Sequence, residues 1–322
     1  MKEDALIELI QNKIPKPKKH GILGIGDDCA VIPGRGSNSW VITTDLLTEG
    51  VHFDLKTTNA FDLGYKSLAV NISDVASMGA TPRYSFLSIA LPLKTPGSWI
   101  KRWTDGFREI SKKYNVCVLG GDTNRSQSGI AINFCVIGEA STAQIKLRSG
   151  ARPGNLICIS RPVGKAALAL KLKVRGSRTE MGKALHRPEP EVKMGKLLGK
   201  SKAVTAMMDL SDGLARDLPR LLKASKVSGQ IELDSLPVTS TLVRECKRLR
   251  IPPLEIAASG GDDYALLFTV KNPQFVSLRR RILRTLKREI FCIGSISEGK
   301  GKLTWTQNGK HCKLSLNSFE HF

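Results

Sequence analysis

Apolar residues recur along this chain with two different periods, and the alternation between them sets the first expectations. In "WVITTD" (40–45) and "SFLSIALP" (85–92) β-branched and apolar residues run together over a short span, which predicts strands. Between them, "AFDLGYKSLAVNISDVASMG" has helical spacing and stops at Gly79, with Pro82 soon after. Trp99, Trp103, Phe107 and Ile110 share one face of a second helix that breaks near Asn115. "VCVLGGD" then reads as a buried strand entering a double-glycine turn, with Asp122 at its end. "GIAINFCVIGE" puts Ile130, Ile132, Phe134 and Val136 on one face of a further strand.

The polar stretch 141–155, punctuated by Gly150, Pro153 and Gly154, changes the character of the chain, and a domain boundary is expected there. Beyond it, "NLICIS" reads as strand, "KAALALKLK" as helix, "RPEPEVKMGKLLGK" as a proline-led helix, and "AMMDLSDGLARDLPRLLKAS" as strand, turn and helix. Strands "QIELD", "YALLFTV" and "EIFCIGSI" follow, separated by helices. Strands alternating with helices predict a mixed α/β fold in two domains, 1–140 and 141–322, and no short repeat points to a solenoid. With 322 residues, each half can bury its own core.

Composition narrows the setting. Seven scattered cysteines, mostly in apolar segments, read as buried thiols in a reducing cytoplasm, and the absence of a CxxC pair argues against a cysteine zinc site. "MKEDALIELIQNK" is an amphipathic helix with acids in it rather than a signal peptide, and no apolar run has membrane-spanning length, so a cytoplasmic protein is expected. The formal net charge of +21 raises nucleic acid as a partner. Basic residues gather at 12–20, 244–250 and 277–289. In the last of these Ile282, Leu283, Leu286 and Ile290 keep a helical apolar stripe, leaving the arginines a solvated outer face. With no zinc finger and no RNP-like aromatic run, nucleic-acid binding rests on charge alone and is not expected. The same charge suits polyphosphate substrates.

The candidate chemistry is carboxylate. "GIGDDCAVI" sets Asp27 and Asp28 side by side, an arrangement that calls either for solvation in a loop or for a neutralising cation. Asp45 follows "VITT", Asp74 sits in "VNISDVASMG", Asp122 follows "VLGG", and Asp209 and Asp212 sit in "MMDLSDGL". One such residue is an ordinary helix cap. Seven at strand ends or helix starts suggest convergence on one edge around hard cations with oxygen ligands, Thr43 and Thr44 adding hydroxyl or carbonyl oxygens. Magnesium held this way would receive a polyphosphate. "RPVGKAAL" lacks the full P-loop pattern and no G-x-G-x-x-G occurs, so a nucleotide site here is of another type.

Together "GIGDDCAVI", "TTDLLTEGVHFD", "LAVNISDVASMGATP", "LGGDT", "RSGARPGN", "MDLSDGLARDL", "SGGDDYALLF" and the closing "SFEHF" resemble the thiamine-monophosphate kinase family, from about residue 20 to the last residue. That family belongs to the superfamily of aminoimidazole ribonucleotide synthetase and selenophosphate synthetase. The resemblance implies magnesium-dependent, in-line transfer of the ATP γ-phosphoryl group to thiamine monophosphate, giving thiamine diphosphate and ADP without a covalent enzyme intermediate. It implies several magnesium ions on Asp28, Thr43, Thr44, Asp45, Asp74, Asp122, Asp209 and Asp212, with Asp45, Asp74, Asp122 and Asp212 central to catalysis. ATP would be held by Gly121, Asp122, Arg148 and Ser211, and the thiamine portion by His52, Asp262 and Phe319. It also implies an N-terminal ATP- and magnesium-binding domain that forms a barrel across a homodimer, and a C-terminal domain closing the cleft. "SGGDDY" has aspartate where the family usually has glutamate, and Phe319 stands where tryptophan or tyrosine is frequent. A selenophosphate synthetase would need a reactive cysteine before Gly24, where this chain has none.

Overall fold

The computed structural model describes residues 3–15 and 21–314, so Phe319 lies outside the described residues. The first half contains α1 (Glu3–Lys13), β1 (Ala30–Pro33), β2 (Asn38–Thr48), α2 (Ala60–Ser77), β3 (Thr81–Pro92), α3 (Gly97–Tyr114), β4 (Cys117–Ser126) and β5 (Ala131–Ser141). Its strands form one sheet in the order β1-β2-β5-β3-β4. β5 alternates as its sequence predicts: Ile130, just before it, and Ile132, Phe134 and Val136 are buried, and they pack beneath α2.

α2 begins at Asn59, whose side chain accepts from the Asp62 N–H, and ends where Gly79 takes φ +74. Its crossing with α3 is unusually close. A Cβ on Gly64 would stand 2.0 Å from the Trp103 carbonyl oxygen, and one on Gly106 would stand 1.9 Å from that of Phe61. Two glycines therefore let the helix backbones touch.

The second half contains β6 (Asn155–Ile159), α4 (Lys165–Lys171), α5 (Glu180–His186), α6 (Val192–Gly199), β7 (Val204–Asp209), α7 (Leu214–Ser225), β8 (Ser228–Glu232), α8 (Ser240–Leu249), α9 (Pro253–Ser259), β9 (Leu266–Lys271), α10 (Phe275–Leu286), β10 (Phe291–Ser297), β11 (Leu303–Gln307) and β12 (Lys310–Cys312). They build a seven-stranded sheet ordered β12-β11-β8-β10-β6-β9-β7. Leu214, Leu218, Leu221 and Leu222 of α7 fill one core with Ile157, Ile231 and Leu267. Met194, Leu197 and Leu198 of α6 join Leu278 and Ile282 of α10 in another, against Phe268 and Val270. Alternate residues of β9 thus serve opposite faces, as a central strand covered by helices requires. α2 also contacts α6 and β7, so it links the two sheets.

Several expectations need correcting. β4 is not buried and does not turn at its glycines: it continues through Gly120 and Gly121 to Ser126, exposed along almost its whole length, and Cys117 is exposed with it. The apolar run misled because this strand is a sheet edge. On α10, Leu283 is 45% exposed and Ile290 lies past the helix end; Leu278 and Ile282 carry the packing. α5, β1, β11 and β12 are elements the pattern did not reveal.

Candidate active site

The carboxylates meet where α2 passes between the sheets. On β2, Ser39, Val41, Thr43 and Leu47 point to the buried face, and the period of two places Asp45 with them. Asp74 is the one residue of α2 that keeps some access to solvent, in an otherwise buried helix. Asp209 ends β7, and Asp27 and Asp28 arrive from the loop before β1.

A neighbour holds each of these acids, by its carboxylate or, for Asp45, by its backbone N–H. Thr43 Oγ1 donates to Asp74 Oδ2 at 2.6 Å, and Ser73 Oγ donates to Asp209 Oδ2 at 2.6 Å. Asn71 Oδ1 accepts the Asp45 N–H at 2.9 Å. Asp28 takes Arg148 Nε at 2.7 Å on Oδ1, and Ser77 Oγ on Oδ2. Asp27 accepts the backbone N–H groups of Asp28 and Arg148, each at 3.0 Å. An arginine thus offsets the charge of Asp28, while Asp27 is held by backbone N–H groups. Asp212 pairs with Arg220 at 2.7 Å, and Asp217 accepts the N–H groups of Asp212 and Gly213, fixing that turn.

Electrostatics set this cluster apart from ordinary surface acids. Burial, then Asp28, pushes Asp27 up to about 7. Burial, then Asp212 and Asp28, pushes Asp45 up to about 6. Asp74 and Asp209 are raised well above the usual carboxylate range, first by burial and then by Asp45 and by Asp28 respectively. Among the described residues no lysine or arginine forms an ion pair with Asp45, Asp74 or Asp209. Nor do any three acidic, histidine or cysteine side chains there stand close enough together to hold a metal ion as they are placed.

Some expected members stand elsewhere. Thr44 points to the opposite face of β2, where its hydroxyl meets the Asn133 amide at 2.8 Å. Gly121 lies in register with Leu87, Phe134 and Asp45 across β4, β3, β5 and β2. Three strand spacings of ~4.8 Å separate it from Asp45, roughly 14 Å. Asp122, the next residue, points to the face opposite Asp45. A Cβ at Gly121 would stand 1.6 Å from the Leu87 carbonyl oxygen, so packing against β3 already demands glycine here. His52 folds back on β2, its Nδ1 accepting the Thr48 N–H at 3.0 Å. Ser211 offers its carbonyl to the Asp262 N–H at 2.7 Å, joining the two loops of the second half.

Reading by charge alone missed Asn71, Ser73, Ser77, Asp217 and Arg220. A signal was present for Asn71 and Ser77: with Asp74 they fall three apart in the last turns of α2, a polar stripe at helical spacing.

Two α/β halves with buried carboxylates at their junction define an enzyme of the aminoimidazole ribonucleotide (AIR) synthase-related class. Residues 26–140 match the AIR synthase related protein N-terminal domain, and residues 152–305 match the C-terminal domain. The chain is 33% identical to the thiamine-monophosphate kinase of Bacillus subtilis over 98% of both chains, and 33% identical to that of Escherichia coli K12 over 99% of this chain and 98% of that one. Its fold is similar to the solved structure of AaThiL complexed with AMPPCP and TMP, with a TM-score of 0.85, 30% identity, and coverage of 100% of this chain and 97% of the other. The thiamine-monophosphate kinase from Stenotrophomonas maltophilia aligns with a TM-score of 0.77 at 32% identity over 96% of each chain. This chain belongs to the thiamine-monophosphate kinase family.

Proposed function

We propose that the chain transfers the γ-phosphoryl group of ATP to thiamine monophosphate, in line and without a covalent enzyme intermediate, giving thiamine diphosphate and ADP. The observation that carries this reading is the group formed by Asp28, Asp45, Asp74 and Asp209 in a chain of this family. Buried carboxylates that destabilise one another, three of them without a cationic partner among the described residues, have the donor chemistry for hard cations. Asp28, Asp45, Asp74, Asp209 and Asp212, with Thr43 and the Thr44 carbonyl, would hold magnesium. Bound there, magnesium would supply neutralisation of the phosphate charges during transfer.

The remaining work falls to the chain. Arg148 would move from Asp28 to a nucleotide phosphate, and Ser211 holds the turn beside Asp212. The acceptor is a phosphate monoester with a second pKa near 6, so it attacks already ionised and needs no general base. Alignment and charge compensation are then the sources of rate. His52, Asp262 and Phe319 are assigned to the thiamine portion.

The outer face of the first sheet supports a homodimer. Leu46, Tyr84, Phe86, Val118 and Leu119 are exposed there or along β4, a ten-residue edge strand that a monomer would leave uncovered. Closure of this sheet against a second copy accounts for Gly121 and Asp122, which are too far from Asp45 to share an ion with it in one chain. We therefore assign them to a nucleotide site completed across the interface. The division into an N-terminal domain, 1–140, and a C-terminal domain, 141–322, agrees with the allocation of β1–β5 and β6–β12 to separate sheets. The cytoplasm is the proposed setting: the seven cysteines are free thiols, and no helix among the described residues is long and apolar enough to cross a membrane.

Incubating the chain with ATP, magnesium and thiamine monophosphate tests the activity, with thiamine as alternative acceptor and a metal-free control. Thiamine diphosphate formed only from the monophosphate and only with metal is the expected result. A folded chain that hydrolyses ATP without phosphorylating the monophosphate would refute it.

A further inference from the structure

Lys66 lies on α2 two turns before Asp74, and its side chain is only 5% exposed. A buried ammonium is unfavourable unless it is paired, and its partner is Asp262, with Nζ 2.9 Å from Oδ1. The contact crosses from the first half of the chain to a loop of the second half.

That loop is built under constraint. Asp262 and Tyr264 take φ values of +64° and +47°, in the left-handed region that side chains other than glycine seldom occupy. Such a conformation persists only where the surroundings enforce it. Here the Asp262 and Tyr264 N–H groups donate to Ser211 and Leu210 carbonyls, each at 2.7 Å, and Arg161 Nη2 donates to the carbonyls of Asp263 and Tyr264 at 2.8 and 2.5 Å. The backbone is therefore fixed, while the Asp262 carboxylate still has freedom about its own side-chain bonds. Two donors remove that freedom, and both act on the same oxygen: Lys66 Nζ, and Tyr264 Oη at 3.0 Å.

We propose that Lys66 is a positioning residue for substrate recognition. By anchoring Oδ1, it turns Oδ2 of Asp262 toward the acceptor as a hydrogen-bond acceptor for the amine-bearing, cationic portion of thiamine monophosphate. The Lys66 charge offsets that of the aspartate, so Oδ2 serves chiefly as a directed acceptor. This rests on the assignment of Asp262 to the thiamine portion.

The test uses the full chain as Lys66→Met, Lys66→Arg, Asp262→Asn and the Lys66→Met/Asp262→Asn pair, with KM for each substrate, kcat and thermal midpoint measured for all. Lys66→Met should raise KM for thiamine monophosphate about tenfold, as expected for one lost charged hydrogen bond, and leave kcat and KM for ATP within about twofold. Lys66→Arg should recover most of the affinity, and the double variant should be no worse than Asp262→Asn alone. If Asp262→Asn raises that KM and Lys66→Met does not, the role of Lys66 is overturned while the Asp262 assignment stands. An unchanged KM in Asp262→Asn overturns the assignment itself, and this proposal with it. Equal losses in kcat and in both KM values, with a lowered midpoint, would make Lys66 merely structural. If Lys66→Met does not fold, Tyr264→Phe removes the other Oδ1 donor with little change in volume. A selective rise in KM for thiamine monophosphate then supports the anchoring, and no change overturns it.

Discussion

Arg148 reaches Asp28 with two nitrogens at one oxygen, Nε at 2.7 Å and Nη2 at 2.5 Å from Oδ1. The Asp28 side chain is fully buried, so this arginine is its compensation in the metal-free chain. Arg148→Met should lower metal-free stability by about 3 kcal/mol, the usual consequence of stranding one member of a buried pair. Arg148→Lys should fall between, because an ammonium keeps the charge and loses the fork. Urea denaturation without metal measures both, and a wild-type midpoint for Arg148→Met would contradict this account.

Asp74 has the opposite balance. It faces Asp45, Asp209 and Asp28, and its hydrogen bond from Thr43 can be kept by an amide oxygen. Asp74→Asn should reduce turnover by at least about a hundredfold through loss of electrostatic stabilisation. It should nonetheless leave the metal-free chain as stable as wild type or more so. Magnesium should raise the thermal midpoint of wild type and have little effect on this variant. A variant that unfolds more readily without metal would show that Asp74 has a structural role instead.

Asp263 provides a pH test outside the carboxylate cluster. Both its oxygens accept the Gly164 N–H, at 3.0 and 2.8 Å, and burial pushes it up to about 7. Its folded value lies above its unfolded value of 3.8, so the folded chain binds the extra proton between them. The stabilisation is fully present below about pH 4 and is lost as pH rises through about 7, at most roughly 4 kcal/mol. Asp263→Asn should flatten the stability profile between those limits, as followed by denaturation at fixed low salt. An unchanged slope would place the titration elsewhere.

Assignment of Asp122 to a site completed across the dimer makes a sharp prediction. Asp45→Asn and Asp122→Asn chains should each be inactive alone. When co-refolded in equal amounts, half the dimers are mixed, and each mixed dimer has one intact site, so about a quarter of wild-type activity should return. If both residues serve one chain's site, nothing returns. Leu119→Asp, at a position 57% exposed on β4, should yield monomers by light scattering and lose most activity with the carboxylate cluster untouched.

Sequence by itself determined the elements whose burial follows from local period. Ile130, Ile132, Phe134 and Val136 alternate in sequence and are all buried, and the α2 pattern ran to Gly79, where the backbone turns. It also marked the acids, but not their places: only Asp209 closes a strand, whereas Asp45 and Asp122 lie within β2 and β4 and Asp74 near the end of α2. What it could not supply was the partner of each side chain. Whether "VCVLGG" is central or at an edge depends on which strand pairs beside it, and β4 has a neighbour on one side only. Asp122 looked equivalent to Asp45 in one dimension, yet three strand spacings and the alternation of the pleat separate them. Lys66 and Asp262, nearly two hundred residues apart, read as an ordinary helix lysine and a loop acid until the fold joined them. Local spacing is written in the chain, but long-range pairing depends on how two sheets pack around a shared helix, and only the tertiary structure decided that.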